Sequence, residues 1–183
     1  MKYFKKLEGH NLFLGPMMIE DAPIYVKWLN DNGVTDGIGK TKDVTTIENE
    51  IEYLQDVTKK GDYNFSIVTK DKEQLIGTCS LMNINSVNQT AEVGIFIGES
   101  SYRGKGYGKE ALKIILDYGF NTLNLHNIYL GVYSFNEQAI ECYKKLGFKE
   151  AGRIREAKFH NGKRYDDIKM DILRNEFYER NNI

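Results

Sequence analysis

The residues that could bind a ligand crowd into one stretch, Arg103-Gly104-Lys105-Gly106-Tyr107-Gly108-Lys109. Its alternating glycines can take positive φ and let the backbone come close to a bound group. A helical pattern, Glu110 to Leu123, follows at once. The free N–H groups and partial positive charge at a helix start suit phosphate. Two phosphate-binding spacings fail here. A nucleotide P-loop needs G-x-x-x-x-G-K-[ST], but Gly108-Lys109 is followed by Glu110, and Arg103 stands where the first glycine belongs. A dinucleotide fingerprint, G-x-G-x-x-G counted from Gly104, needs glycine where Lys109 stands.

A second stretch lies downstream: Asn136-Glu137-Gln138-Ala139-Ile140-Glu141-Cys142-Tyr143-Lys144-Lys145-Leu146-Gly147-Phe148. Arg103-x-x-Gly106-x-Gly108 resembles the Q/R-x-x-G-x-G/A pyrophosphate loop of the GNAT N-acetyltransferases. The downstream stretch resembles the N-x-x-A-x-x-x-Y-x-K-x-G-F signature of the same family. Asp117-Tyr118-Gly119-Phe120, Leu123-Asn124-Leu125 and Gly152-Arg153-Ile154-Arg155-Glu156 resemble the branch that acetylates ribosomal-protein N-termini and spermidine. The resemblance runs from about Ser66 to Leu173. It is poor over residues 31–60, the region that usually shapes the acceptor site.

The resemblance implies acetyl-CoA as co-substrate and a primary amine as acceptor, either a polyamine-like small molecule or a protein N-terminus. Arg103, Lys105, the main chain of Gly104, Gly106, Tyr107 and Gly108, and Lys109 would receive the phosphates. Ile95, Phe96 and Ile97 would offer backbone groups to the pantetheine arm, with Asn136 and Lys145 facing the cofactor. Tyr143 would be the general acid. Glu92, on an otherwise apolar strand, would be the base, acting through a water. A backbone N–H near Phe96 would hold the oxyanion. A lysine-like amine of pKa ~10.4 costs about 4.6 kcal/mol to deprotonate at pH 7, and an α-amine of pKa ~7.8 only about 1 kcal/mol. A base therefore matters most for a polyamine. Two rivals remain: acetylation of an aminoglycoside or amino sugar, and an acyl-CoA-binding sensor without transfer.

The elements that must position these residues follow from periodicity. Leu12 to Leu14 reads as a strand. A helix starts at Glu20-Asp21-Ala22-Pro23, with Ile24 and Trp28 inward. Asn30 to Lys42 reads as loop, because Gly33, Gly37 and Gly39 sit among Asn, Asp and Thr. Ile47, Ile51, Leu54 and Val57 mark a second helix. Its acids Glu48, Glu50, Glu52 and Asp56 read as a solvated face, with attraction of a polycation as the minority alternative. Strands are expected at Asn64–Thr69, Leu75–Met82, Ala91–Ile97 and Ile128–Val132, and a helix at Glu137–Leu146 ends on Gly147. A hairpin is expected around Asn161-Gly162. The fold expected is α/β (α+β): a mixed, mostly antiparallel, twisted and splayed sheet of about seven strands, with about four helices on both faces.

The 183 residues suit one domain, 1–183, with a core at about 10–173 and a tail at 174–183. Apolar residues make up 41% and charged residues 28%, ordinary globular values. A net charge of -1 provides no global field for nucleic acid. Cys79 and Cys142 form no metal or redox motif, and His10, His126 and His160 share no ligand spacing, so no metal is expected. No apolar run suits a signal peptide or a membrane span, so a cytoplasmic protein is expected. The partners expected are acetyl-CoA and an amine, with a homodimer as an option, and neither nucleic acid nor membrane.

Overall fold

The computed structural model describes residues 2–57 and 62–181. The elements in chain order are β1 (Leu7–Glu8), β2 (Leu12–Pro16), α1 (Ala22–Leu29), α2 (Asn32–Ile38), α3 (Ile47–Val57), β3 (Tyr63–Thr69), β4 (Leu75–Asn85), β5 (Thr90–Ile97), α4 (Tyr107–Asp117), β6 (Asn127–Tyr133), α5 (Glu137–Leu146), β7 (Lys149–His160), β8 (Lys163–Leu173) and α6 (Arg174–Asn181). The sheet order is β1-β2-β3-β4-β5-β6-β8-β7. The pairs β1–β2, β2–β3, β3–β4, β6–β8 and β7–β8 are antiparallel, and β5–β6 is parallel. This is the mixed, mostly antiparallel α/β architecture expected, with eight strands and six helices among the described residues.

Three elements exceed the sequence expectation. Strand β1 is a two-residue addition opposite Phe13 and Leu14. Helix α2 replaces an expected loop. The Asp31 carboxylate accepts the Gly33 N–H at 2.9 Å, Gly39 closes the helix at φ 77°, and Val34 and Thr35 bury its inner side. Good caps and two buried residues thus outweigh the low helix propensity of Gly33 and Gly37. Helix α6 occupies most of the expected tail. Phe177 is buried with its ring 5.3 Å from Phe120, and the Arg174 guanidinium donates to the Leu125 carbonyl at 2.7 Å. Asn182 and Ile183, the end of that tail, lie outside the described residues.

The chain forms two compact units, Met1–Met82 with Gly94–Ile115, and Asn83–Val93 with Leu116–Ile183. In the first, Phe13, Tyr25, Trp28, Leu54, Val68 and Leu75 share one apolar cluster, with Phe96 packed against it. In the second, Phe120, Ile128, Leu130, Met170, Ile172 and Phe177 are buried. No helix is long and apolar enough to cross a membrane.

Candidate active site

The first unit carries the glycine stretch. The β5–β6 register covers Thr90 to Glu92 and stops there, so Ile95, Phe96 and Ile97 continue β5 beyond it. Gly98 then lets the chain pass under Trp28: a Cβ there would lie 2.0 Å from the indole. The Trp28 ring also meets Phe96 edge-on at 6.2 Å. Gly106 takes φ +90°, and a Cβ on it would meet nothing within 4 Å. Its outer side is therefore open to a ligand. Helix α4 begins at once, and its first closed bond is Glu110 N–H to Gly106 O at 3.0 Å. The amides of Gly106, Tyr107, Gly108 and Lys109 are thus the four a helix leaves without intrahelical acceptors.

The Arg103 side chain does something the sequence did not suggest. Its Nε donates to Ile97 O at 2.8 Å, one terminal nitrogen to Gly98 O at 2.8 Å, and the other to Gly33 O at 3.0 Å. The guanidinium expected to hold phosphate is engaged with three carbonyls. It staples the end of β5 to its own loop and to α2. Lys105 and Lys109 are exposed and have no ion-pair partner among the described residues.

Glu110, in the first turn of α4, anchors that helix. Its carboxylate accepts the Asn11 N–H at 2.7 Å, Asn11 Nδ2 at 2.9 Å and the Leu12 N–H at 3.3 Å. Burial acts to raise its pKa, and these hydrogen bonds outweigh burial and leave it lowered.

A cavity of 340 Å³ lies in the same unit, beside β5 at Gly94, Ile95 and Phe96. Its far wall comes from α3, which carries Glu50 and Tyr53. Asn30 sets the approach to α3: it donates to Thr45 O at 2.8 Å and accepts the Thr45 N–H at 3.1 Å. Glu50 is 4% exposed, whereas Glu48 and Glu52 are exposed. The acidic set is therefore not one solvated face. Burial pushes the Glu50 carboxyl up to about 7, with Lys40 pulling the other way. The signal was present in the spacing, since Ile47, Glu50, Leu54 and Val57 fall on one helical stripe.

The second unit holds the remaining expected residues. Glu92 pairs opposite Tyr129 and accepts from Asn83 Nδ2 at 2.8 Å. Asn136 caps α5, its side-chain oxygen accepting the Ala139 N–H at 3.3 Å. Gly147 closes α5 at φ 107°, and Lys145 is exposed in its last turn. The Tyr143 ring sits edge-on to Phe148 at 5.8 Å. Burial, helped by Cys142, pushes its phenol up to about 12, so it keeps its proton at neutral pH. The structure thus brings residues 95–109 together with the cavity, and separately groups Glu92, Asn136, Tyr143 and Lys145 in the second unit. Glu50 was missed as a site residue.

The sequence description of the family "Acetyltransferase (GNAT) domain" matches residues 11–149. This chain belongs to the GNAT acetyltransferases. A Bacillus licheniformis protein named uncharacterized N-acetyltransferase p20 is 32% identical over 93% of this chain and 97% of its own length. The spermidine N(1)-acetyltransferase of Vibrio cholerae is 39% identical over 62% of this chain and 65% of that enzyme. The structure of spermidine N-acetyltransferase from Vibrio cholerae in complex with CoA and spermine superposes with a TM-score of 0.83, at 28% identity, over 91% of this chain and 98% of that one. GNAT membership makes this chain an acyltransferase, and its fold is that of the family.

Proposed function

We propose that this GNAT protein transfers the acetyl group of acetyl-CoA directly to a primary amine. One observation carries the reading. A single segment runs from the wall of a cavity, at Ile95 and Phe96, into an open glycine turn and a helix N-terminus. That joins an acceptor chamber to an anion cradle through a few residues of backbone. The CoA and spermine bound together by the Vibrio cholerae relative support both ligand classes.

Acetyl-CoA, bound there, supplies an activated thioester. The residues present fit it: the amides of Gly106 to Lys109 face the pyrophosphate, with Gly104, Lys105 and Lys109 beside it. Arg103 acts by fixing the loop through Ile97, Gly98 and Gly33. The main chain of Ile95, Phe96 and Ile97 pairs with the pantetheine arm, and an N–H near Phe96 steadies negative charge on the acyl oxygen. Asn136 and Lys145 contact the cofactor from α5. The new N–C bond forms as the C–S bond breaks. Glu92 takes the proton leaving the nitrogen, through a water, and the Tyr143 phenol donates its proton to the sulfur.

A free-thiol assay with acetyl-CoA against spermidine, N-terminal peptides, aminoglycosides and amino sugars tests the proposal. Thiol release that depends on one of these amines is expected. Acetyl-CoA binding with no release for any amine would replace transfer with sensing.

A further inference from the structure

The cavity lining narrows the acceptor, given the transfer reaction proposed above. Among the described residues, Glu50 is the one carboxylate in that lining, and Lys40 stands in the same wall. Glu50 makes no side-chain hydrogen bond among the described residues. It can therefore take one ammonium or amine. A polyamine would bring a second cation to a wall whose other charge is also positive. Desolvating an unpaired ammonium costs several kcal/mol.

Across the cavity, β3 contributes Asn64. Its Nδ2 is buried and has no hydrogen-bond partner. A buried amide donor left unsatisfied costs about 1–3 kcal/mol, so it favours an occupant that offers an acceptor oxygen. Polyamine chains carry no oxygen. The remaining lining is largely apolar, with Met17, Leu29, Ile38 and Met82.

We propose that the cavity takes an aminoacyl acceptor, a free amine beside a carbonyl oxygen with an apolar side chain. The Glu50 carboxylate receives the amine, and Asn64 Nδ2 donates to the carbonyl oxygen. An amino-acid amide and the first residue of a peptide share this chemistry.

The test uses the full-length protein, acetyl-CoA and two matched amines, leucinamide and 3-methylbutylamine, which differ by the carboxamide. The leucinamide-to-alkylamine ratio of kcat/KM is compared between wild type and Asn64→Leu, which cancels the difference in amine basicity. Loss of one neutral hydrogen bond predicts that the ratio falls about tenfold in the variant. Glu50→Gln should lower kcat/KM for both amines alike. Asn64→Ser, with a shorter polar group, serves as a second variant should Asn64→Leu fold poorly, and the ratio should fall there too. An unchanged ratio in the folded variant overturns the assignment. So does wild-type kcat/KM for spermidine equal to or above that for leucinamide, which leaves acetyl transfer intact. No turnover with any amine, while acetyl-CoA binds, overturns the transfer reaction and this inference together.

Discussion

Glu110 and Glu50 belong to the same compact unit and meet opposite fates. Glu110 sits where α4 starts, and three hydrogen bonds from Asn11 and Leu12 hold its charge. Glu50 sits in the wall of a cavity, buried, with Lys40 as its one charged neighbour in the lining. The first is framework, because every favourable interaction of its carboxylate is already made. The second is poised, because its carboxylate has hydrogen-bonding capacity to give. The cradle around α4 is built of backbone and braced by side chains, whereas the α3 wall is built of side chains aimed at something else.

The largest effect is expected away from both glutamates, at Tyr143. Tyr143→Phe should lower kcat about 10²-fold, since a general acid typically contributes that much or more. Steady-state kinetics with unchanged acetyl-CoA binding would show it, and wild-type turnover would return Tyr143 to a packing role against Phe148. On the framework side, Arg103→Gln removes a fork that grips three carbonyls. Part of the guanidinium is solvated, so a loss of about 2 kcal/mol is expected. For a chain of this size that is a fall in Tm of about 4–8 °C. Arg103→Lys should recover little of it, because a single ammonium cannot span the three acceptors.

The two glutamates then separate by pH. The folded-state pKa of Glu50 is raised to about 7 from 4.5. Its contribution to stability is full below pH 4.5 and is lost as pH rises to about 7. Glu50→Gln should flatten the Tm profile in that window and melt no lower than wild type above it. The Glu110 pKa is lowered from 4.5. Its contribution is present above pH 4.5 and is lost as pH falls through the lowered value. Glu110→Gln should cost stability at neutral pH and blunt acid destabilisation, the smaller effect because this carboxylate is largely solvated. Thermal melts from pH 3 to pH 8 read both, and slopes of the same sign in the two variants would break the distinction.

The same contrast explains what was legible in the sequence. The anion cradle depends on which residues tolerate a backbone shape, and glycine spacing states that directly. Gly106 at φ +90° and the helix beginning at Tyr107 were there to be read. Strand β5, α5 with its Asn136 and Gly147 caps, and the β7–β8 hairpin were also readable from period and turn residues. Helix α2 was not, because its glycines argue for loop while the Asp31 cap and the burial of Val34 and Thr35 decide for helix. Arg103 was misjudged for a related reason: a cation beside a glycine loop suits phosphate, and only the fold shows three carbonyls within its reach. Glu50 needed only a stricter count along its helix. Asn64 had no sequence signal, since an unsatisfied amide is visible only once its neighbours are placed.

The central claim is that the backbone of residues 95–109 forms the acyl-CoA site. Calorimetric titration of acetyl-CoA into wild type and Gly106→Val tests it most directly. A β-branched side chain there would be strained at φ +90° and would project into the open face. The expected result is binding by the wild type, and Kd raised about tenfold or more in a variant that still melts cooperatively. Equal affinity in the two proteins would contradict the assignment.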